Sequence, residues 1–197
     1  MAWIVPGNVA LNQSQMDNNA WEMYNYYRNL SNPWTVESIA ALCGNAQLES
    51  TINPARVNSS GYTGLTQLGG TRKTTMLNWL SSNGFSSDSG PGQTRYIEYE
   101  RANPSATESW YHRGGYTNSF SDFAYNTQSW SLEDLTYMFQ YCYERNSFDP
   151  QTQRYTYAQH YWSLFQSTPP GPDIIELLIM RKHKMFWKPG GRRYIGT

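Results

Sequence analysis

Glu49 is the residue whose setting most directly suggests chemistry. It stands in the run Gly44-Asn45-Ala46-Gln47-Leu48-Glu49-Ser50-Thr51-Ile52-Asn53-Pro54, at the end of an apolar, helix-like stretch. Gly61-Tyr62-Thr63-Gly64-Leu65-Thr66-Gln67-Leu68 follows a few residues later. A carboxylate at a helix end, facing a tight Gly-rich turn that closes on Gln, is a common plan for a glycan-cleaving site. Such a reaction protonates a leaving oxygen, so its acid must keep a proton near neutral pH. The negative end of the helix dipole and partial desolvation by Leu48 and Ile52 would both favour the neutral form of this carboxyl. The plainer alternative is a solvated last-turn residue. Last turns usually hold cations, so an acid there calls for a reason.

The loop supplies the other half of the candidate site. Asn58, Thr63, Thr66 and Gln67 offer polar groups for an acetamido sugar or a water, and Tyr62 offers a ring. Gly61, Gly64, Gly69 and Gly70 let backbone and ligand approach closely. Gly/Ser runs are usually mere turns, so the pattern informs only together with Glu49. Further along, Glu144-Arg145, just behind Tyr143, either presents a carboxylate to the groove or forms a structural ion pair at a helix end. His112, His160 and His183 lack ligand spacing, so neither a metal site nor a cofactor is expected.

The elements that must hold these residues read as mainly helical. Asn12 or Ser14 can cap a helix over about 13–30, with Met16, Ala20, Met23, Tyr24 and Tyr27 on one face. Thr35 caps a second helix with a narrow apolar stripe of Val36, Ile39, Ala40, Cys43 and Ala46, stopped by Asn53-Pro54. Residues 55–70 lose helical periodicity and fit a short β-hairpin or wide loop. Helices are expected at about 71–83 and 93–102, with one turn near 119–125. Ser131, with Asp134 three positions on, resembles a capping box opening a helix over 132–145. A last helix covers about 151–166.

The 197 residues suffice for one domain with a sizeable core. We expect an N-terminal leader at 1–11, a catalytic domain at 12–166, and a Pro-rich linker with a basic tail at 167–197. Residues 169–197 carry six Lys/Arg against two acids, leaving nine against thirteen before them, so the charge sign flips at this boundary. The tail is expected to be disordered or to dock on a partner. Zero formal net charge gives no reason to expect nucleic acid as a partner. No apolar run approaches the ~20 residues of a membrane span. No N-terminal stretch resembles a secretory signal, so synthesis in the cytoplasm is expected. Sixteen Tyr and eight Trp exceed what this core needs, so some should line a groove, where aromatic faces stack on sugar rings. Cys43 and Cys142 permit one bridge, but both sit on apolar helix faces and two buried thiols are favoured.

The run from Gly44 to Pro54, followed by Gly64-Leu65-Thr66-Gln67, resembles the phage tail-tip lysozyme domain, a branch of the lysozyme-like superfamily. That family carries Gly-Asn-x-x-x-Glu-Ser-x-x-Asn-Pro and then Gly-x-x-Gln, and the resemblance covers about residues 12–166. It implies a mainly α, lysozyme-like fold with a small β-hairpin or loop excursion. It also implies cleavage of the β-1,4 bond between N-acetylmuramic acid and N-acetylglucosamine in peptidoglycan, with Glu49 as general acid. Such domains belong to virion tails and open the host wall as the genome passes in. The basic tail could then contact other tail proteins.

The same residues are similar to soluble lytic transglycosylases, which close an anhydro-sugar without water. No Asp or Glu lies between Glu49 and Asp88, and Asn58 stands where some phage lysozymes carry Asp. That departure points away from a two-carboxylate mechanism and toward a water held by Thr63 or Asn58, or a substrate-assisted route. Leu68 replaces the Trp common after the Gln, so Trp79 or Tyr62 must supply any stacking. A rival of another class is a non-catalytic tail plug that keeps the fold.

Overall fold

The computed structural model describes residues 2–145 and 151–167, apart from the side chains of 105 and 106. The expected linker and basic tail, from residue 168 onward, lie outside the described residues. Within them the fold is mainly α. Its helices are α1 (Gln13–Arg28), α2 (Val36–Ser50), α3 (Gly70–Ser82), α4 (Gly90–Ala102), α5 (Pro104–Thr107), α6 (Phe120–Tyr125), α7 (Leu132–Phe139) and α8 (Thr152–Gln166). A π-helical turn, Gln140–Glu144, continues α7.

The starts of these helices follow from local chemistry. Asn12 makes a reciprocal capping box with Gln15, and Thr35, Ser89, Ser119 and Ser131 each accept a backbone N–H of the first turn. The helix expected from 93 begins at Gly90, because Ser89 caps it and Pro91 fits its first turn.

Helix α2 is the axis of the domain and packs mainly against α8 and α7. The expected one-sided stripe understates it: residues 38–47 are all buried. Its polar members are bonded. Ser38 Oγ donates to the Phe123 carbonyl, Asn45 Nδ2 donates to those of Ala41 and Thr136, and Gln47 Oε1 accepts from Tyr161 Oη. Gly44 is what lets α8 so close. A Cβ built there would lie 2.6 Å from Ala158 N and from the Arg154 carbonyl oxygen.

The 55–70 region is a hairpin-like excursion reduced to two antiparallel bridges, Val57 with Thr63 and Thr63 with Leu68. Gln93 of α4 pins it from beneath: Oε1 accepts Leu65 N, while Nε2 donates to the carbonyls of Pro54 and Ser87. The residues read as a separate leader are docked. Asn19 exchanges bonds with Ile4, and Asn53 Nδ2 holds the carbonyls of Gly7 and Val9. These extended residues satisfy buried amides of the helical body.

Most of the aromatic surplus goes inward. Trp34, Phe120, Phe123, Phe139, Tyr143 and Tyr27 are buried in one core of stacked and edge-on rings. Both cysteines are free and buried, as the helix faces suggested.

Candidate functional site

Glu49 sits in the last turn of α2, which ends in an unusual way. Thr51 and Ile52 both take left-handed backbone (φ 56° and 50°), so the helix stops before Asn53-Pro54 is reached. A β-branched residue in this region is a strained choice, at a cost of about 1–3 kcal/mol. The surroundings hold both. The Ile52 side chain is buried, its carbonyl accepts Asn19 Nδ2, and Thr51 Oγ1 accepts Leu11 N. Ser50 Oγ reaches across to the Leu65 carbonyl, tying the helix end to the loop.

The result is a cleft of about 240 Å³ lined by Glu49, Asn58, Tyr62, Thr66, Gln67 and Glu144. Six of the eight residues singled out from sequence therefore meet in one place. Each loop residue has a structural reason for its position. Asn58 Oδ1 accepts the N–H groups of Ser60 and Tyr62, which makes it the builder of the turn. The Tyr62 ring lies over Gly69, where a Cβ would come within 2.3 Å of it, and the residue stays 45% exposed. Gln67 Nε2 donates to the carbonyls of Arg56 and Gly64, and its buried Oε1 has no hydrogen-bond partner among the described residues. That leaves an acceptor beside the cleft. Leu68, where related domains often carry Trp, is buried, and Trp79 packs with Phe85, Tyr96 and Tyr99. Tyr62 is thus the ring that lines the cleft.

Two expected site residues are placed elsewhere. Thr63 is at the centre of both bridges, exchanging backbone bonds with Leu68, and does not line the cleft; Thr66 does. Tyr143 is fully buried. Its ring stacks on that of Phe139 with centroids 4.5 Å apart, the Arg72 guanidinium lies 4.5 Å from its ring centroid, and its hydroxyl donates to Glu100. The reason is the π-helical turn, which replaces the regular helix expected to 145 and changes which side chains face inward. Glu100 itself is buried. Desolvation raises its pKa above the ordinary carboxylate value, against the pull of Arg72 and Tyr143.

The residue that sequence reading missed is Arg154. Its Nη2 lies 2.5 Å from Glu49 Oε1 and its Nη1 2.5 Å from Glu144 Oε2. The same Nη1 donates to Asn45 Oδ1 at 3.0 Å, and Nε donates to Gln151 Oε1. Glu144 therefore pairs with Arg154 rather than with its neighbour Arg145. Its side chain is 2% exposed, as is that of Arg154, while Glu49 is 20% exposed. Burial pushes the Glu144 carboxyl well above the usual carboxylate range and the charge of Glu49 adds to this, with Arg154 opposing. One signal was present in the sequence. Arg154, Ala158, Tyr161 and Phe165 repeat at 4, 3 and 4, which puts an arginine on the buried face of α8.

The motif residues thus acquire distinct tasks. Gly44 admits α8, Asn45 holds the arginine that α8 brings, and Glu49, one turn on, meets the same guanidinium. Two other clefts of about 300 Å³ are larger, but each is lined by rings and a single carboxylate. Chemistry rather than size selects the site at Glu49.

Residues 18–165 match the family described as phage tail lysozyme. Morphogenesis protein 1 of Bacillus phage B103 is 34% identical over 161 residues, which cover 79% of this chain and 41% of that protein. The chain accordingly spans about two fifths of the length of this relative. The matched segment includes Glu49, the cleft loop, Glu144 and Arg154.

Proposed function

This chain belongs to the phage tail lysozyme family, and from that membership we propose that it is a peptidoglycan-cleaving glycosidase of a virion tail. The bond cut is the β-1,4 link from N-acetylmuramic acid to N-acetylglucosamine, and the purpose is to open the host wall locally as the genome passes in. Glu49 is the general acid, delivering a proton to the bridging oxygen. One observation carries this reading: the Glu49 carboxylate is partly open to a polar cleft whose opposite members are loop groups suited to sugar hydroxyls and acetamides. Tyr62 offers a stacking face, Gln67 and Thr66 offer hydrogen bonds, and Asn58 shapes the wall. Thr63 keeps the role of holding the loop that carries them. The basic segment 169–197 would contact neighbouring tail proteins.

Zymography in a wall-containing gel tests the assignment. The wild-type chain should clear the gel and Glu49→Gln should not; equal clearing by both removes Glu49 from the chemistry. Such an outcome would favour an assembly role, the role that the name morphogenesis protein 1 gives the Bacillus phage B103 relative.

A second reading has its own support. Glu144, the other carboxylate among the residues lining this cleft, is nearly closed to solvent and held by Arg154, the arginine that also holds Glu49. Buried and tied to Arg154, it is poorly exposed to attack a sugar or to hold a water. A single-acid route that closes a 1,6-anhydro sugar uses no such group. Mass spectrometry of the released muropeptides separates the two: reducing ends mark hydrolysis and anhydro ends mark transglycosylation.

A further inference from the structure

We propose that Glu49 and Glu144 act as one proton-sharing pair clasped by Arg154, with Glu144 holding the proton that Glu49 donates. The inference rests on the reading of Glu49 as the acid and adds a partner to it.

The argument is one of charge and burial. Arg154 spans both carboxylates through different nitrogens, each contact 2.5 Å. Two ionised carboxylates and one guanidinium would leave a net negative charge where Glu144 and Arg154 are each 2% exposed. Uncompensated charge there is costly, and a single proton makes the cluster neutral. Glu49 is 20% exposed, so water supports its ionised form better than that of Glu144, and the resting proton belongs on Glu144. The shared guanidinium brings the two carboxyl groups together, and the proton passes between them there. The groups facing Glu144 are Glu49 from α2, Arg154 from α8 and Arg72 from α3; those facing Glu49 are Glu144 and Arg154.

A glycan in the cleft strips water from Glu49 and removes its advantage as the ionised partner. The Glu144 O–H then passes its proton to the Glu49 carboxylate, and Arg154 balances the new Glu144 anion. Glu49 gives that proton to the bridging oxygen as the C1–O bond breaks. The oxygen of a water, or of the sugar's own 6-hydroxyl, bonds to C1, and the proton it sheds returns to the pair. The guanidinium stays in place throughout, and the negative charge moves beneath it. The pair titrates as a unit, so its last proton leaves at a higher pH than either carboxyl would alone beside an arginine.

The test is the pH profile of wall lysis by the wild type, Glu144→Gln and Glu49→Gln, with circular dichroism as the check on folding. Glu144→Gln leaves Glu49 beside Arg154 with no carboxyl partner to supply its proton. Its activity relative to wild type should fall by up to about tenfold between about pH 5 and about pH 7.5, a shift of about one unit in the alkaline limb. A constant ratio across that range overturns the pair while leaving Glu49 as acid. Activity in Glu49→Gln overturns the underlying reading, and the pair with it. Should Glu144→Gln not fold, carboxyl 13C NMR of the wild-type chain decides. Glu49 and Glu144 are expected to titrate as a coupled pair, one of them well above the ordinary carboxylate range; independent titration of both within that range would refute the pair.

Discussion

Glu144 shows at the scale of one residue how a buried acid writes itself into stability. Desolvation, reinforced by the Glu49 charge, raises its folded pKa. Below about 4.3, the ordinary glutamate value, it is protonated in both the folded and the unfolded chain, and its contribution is fully present. As pH rises the unfolded chain ionises first while the folded one keeps its proton. Stability is therefore lost until pH passes the raised folded value. Glu100, also buried with a raised pKa, contributes with the same sign. The melting temperature of the wild type should fall from about pH 4 to about pH 8, and Glu144→Gln should flatten part of that fall. Equal slopes in the two proteins would mean that Glu144 ionises normally in the fold. Spacing alone marked Glu49 as chemical, because its neighbours in sequence are also its neighbours in space. It left Glu144 ambiguous, because its partner comes from another helix.

Helix α2 and helix α8 meet at Gly44, and the site depends on that closeness. The atoms a Cβ would strike are backbone atoms of α8, which cannot yield without moving the helix. Gly44→Ala should therefore cost about 1–3 kcal/mol, as overpacked sites do. It should also withdraw Arg154 from Glu49. Differential scanning calorimetry would read the first effect, and gel clearing well below that of an equally destabilised variant elsewhere would read the second. Full clearing by Gly44→Ala would show that α8 need not sit so close. The π-helical turn after α7 is the other decisive element. A regular helix to 145 was the natural expectation from Leu135, Met138, Phe139 and Cys142. The wider turn instead buries Tyr143 against Phe139 and Glu100. Periodicity cannot reveal such a turn, since one extra residue per turn leaves the preceding pattern intact.

For the molecule as a whole, the aromatic core and the central α2 leave both thiols without access to solvent. Burial raises the Cys43 pKa, and it pushes Cys142 up to about 11. Neither should react with a thiol reagent at neutral pH until the chain is unfolded, when two equivalents should appear; native-state labelling would contradict the packing described. The docked residues 2–11 belong to the same body, since Asn19 and Asn53 are buried and donate their amides to that segment. The sequence by itself determined the helical class, most helix starts, the break into the 55–70 excursion and a carboxylate, Glu49, beside it. Those features arise from capping, turn chemistry and periodicity, which act within a dozen residues. Tertiary structure alone decided that Arg154, 105 positions away, closes on Glu49, that Tyr143 turns inward, and that Thr63 supports the cleft without lining it. Charge pairing over such distances is set by how closely two helices pack, and no local pattern carries that information.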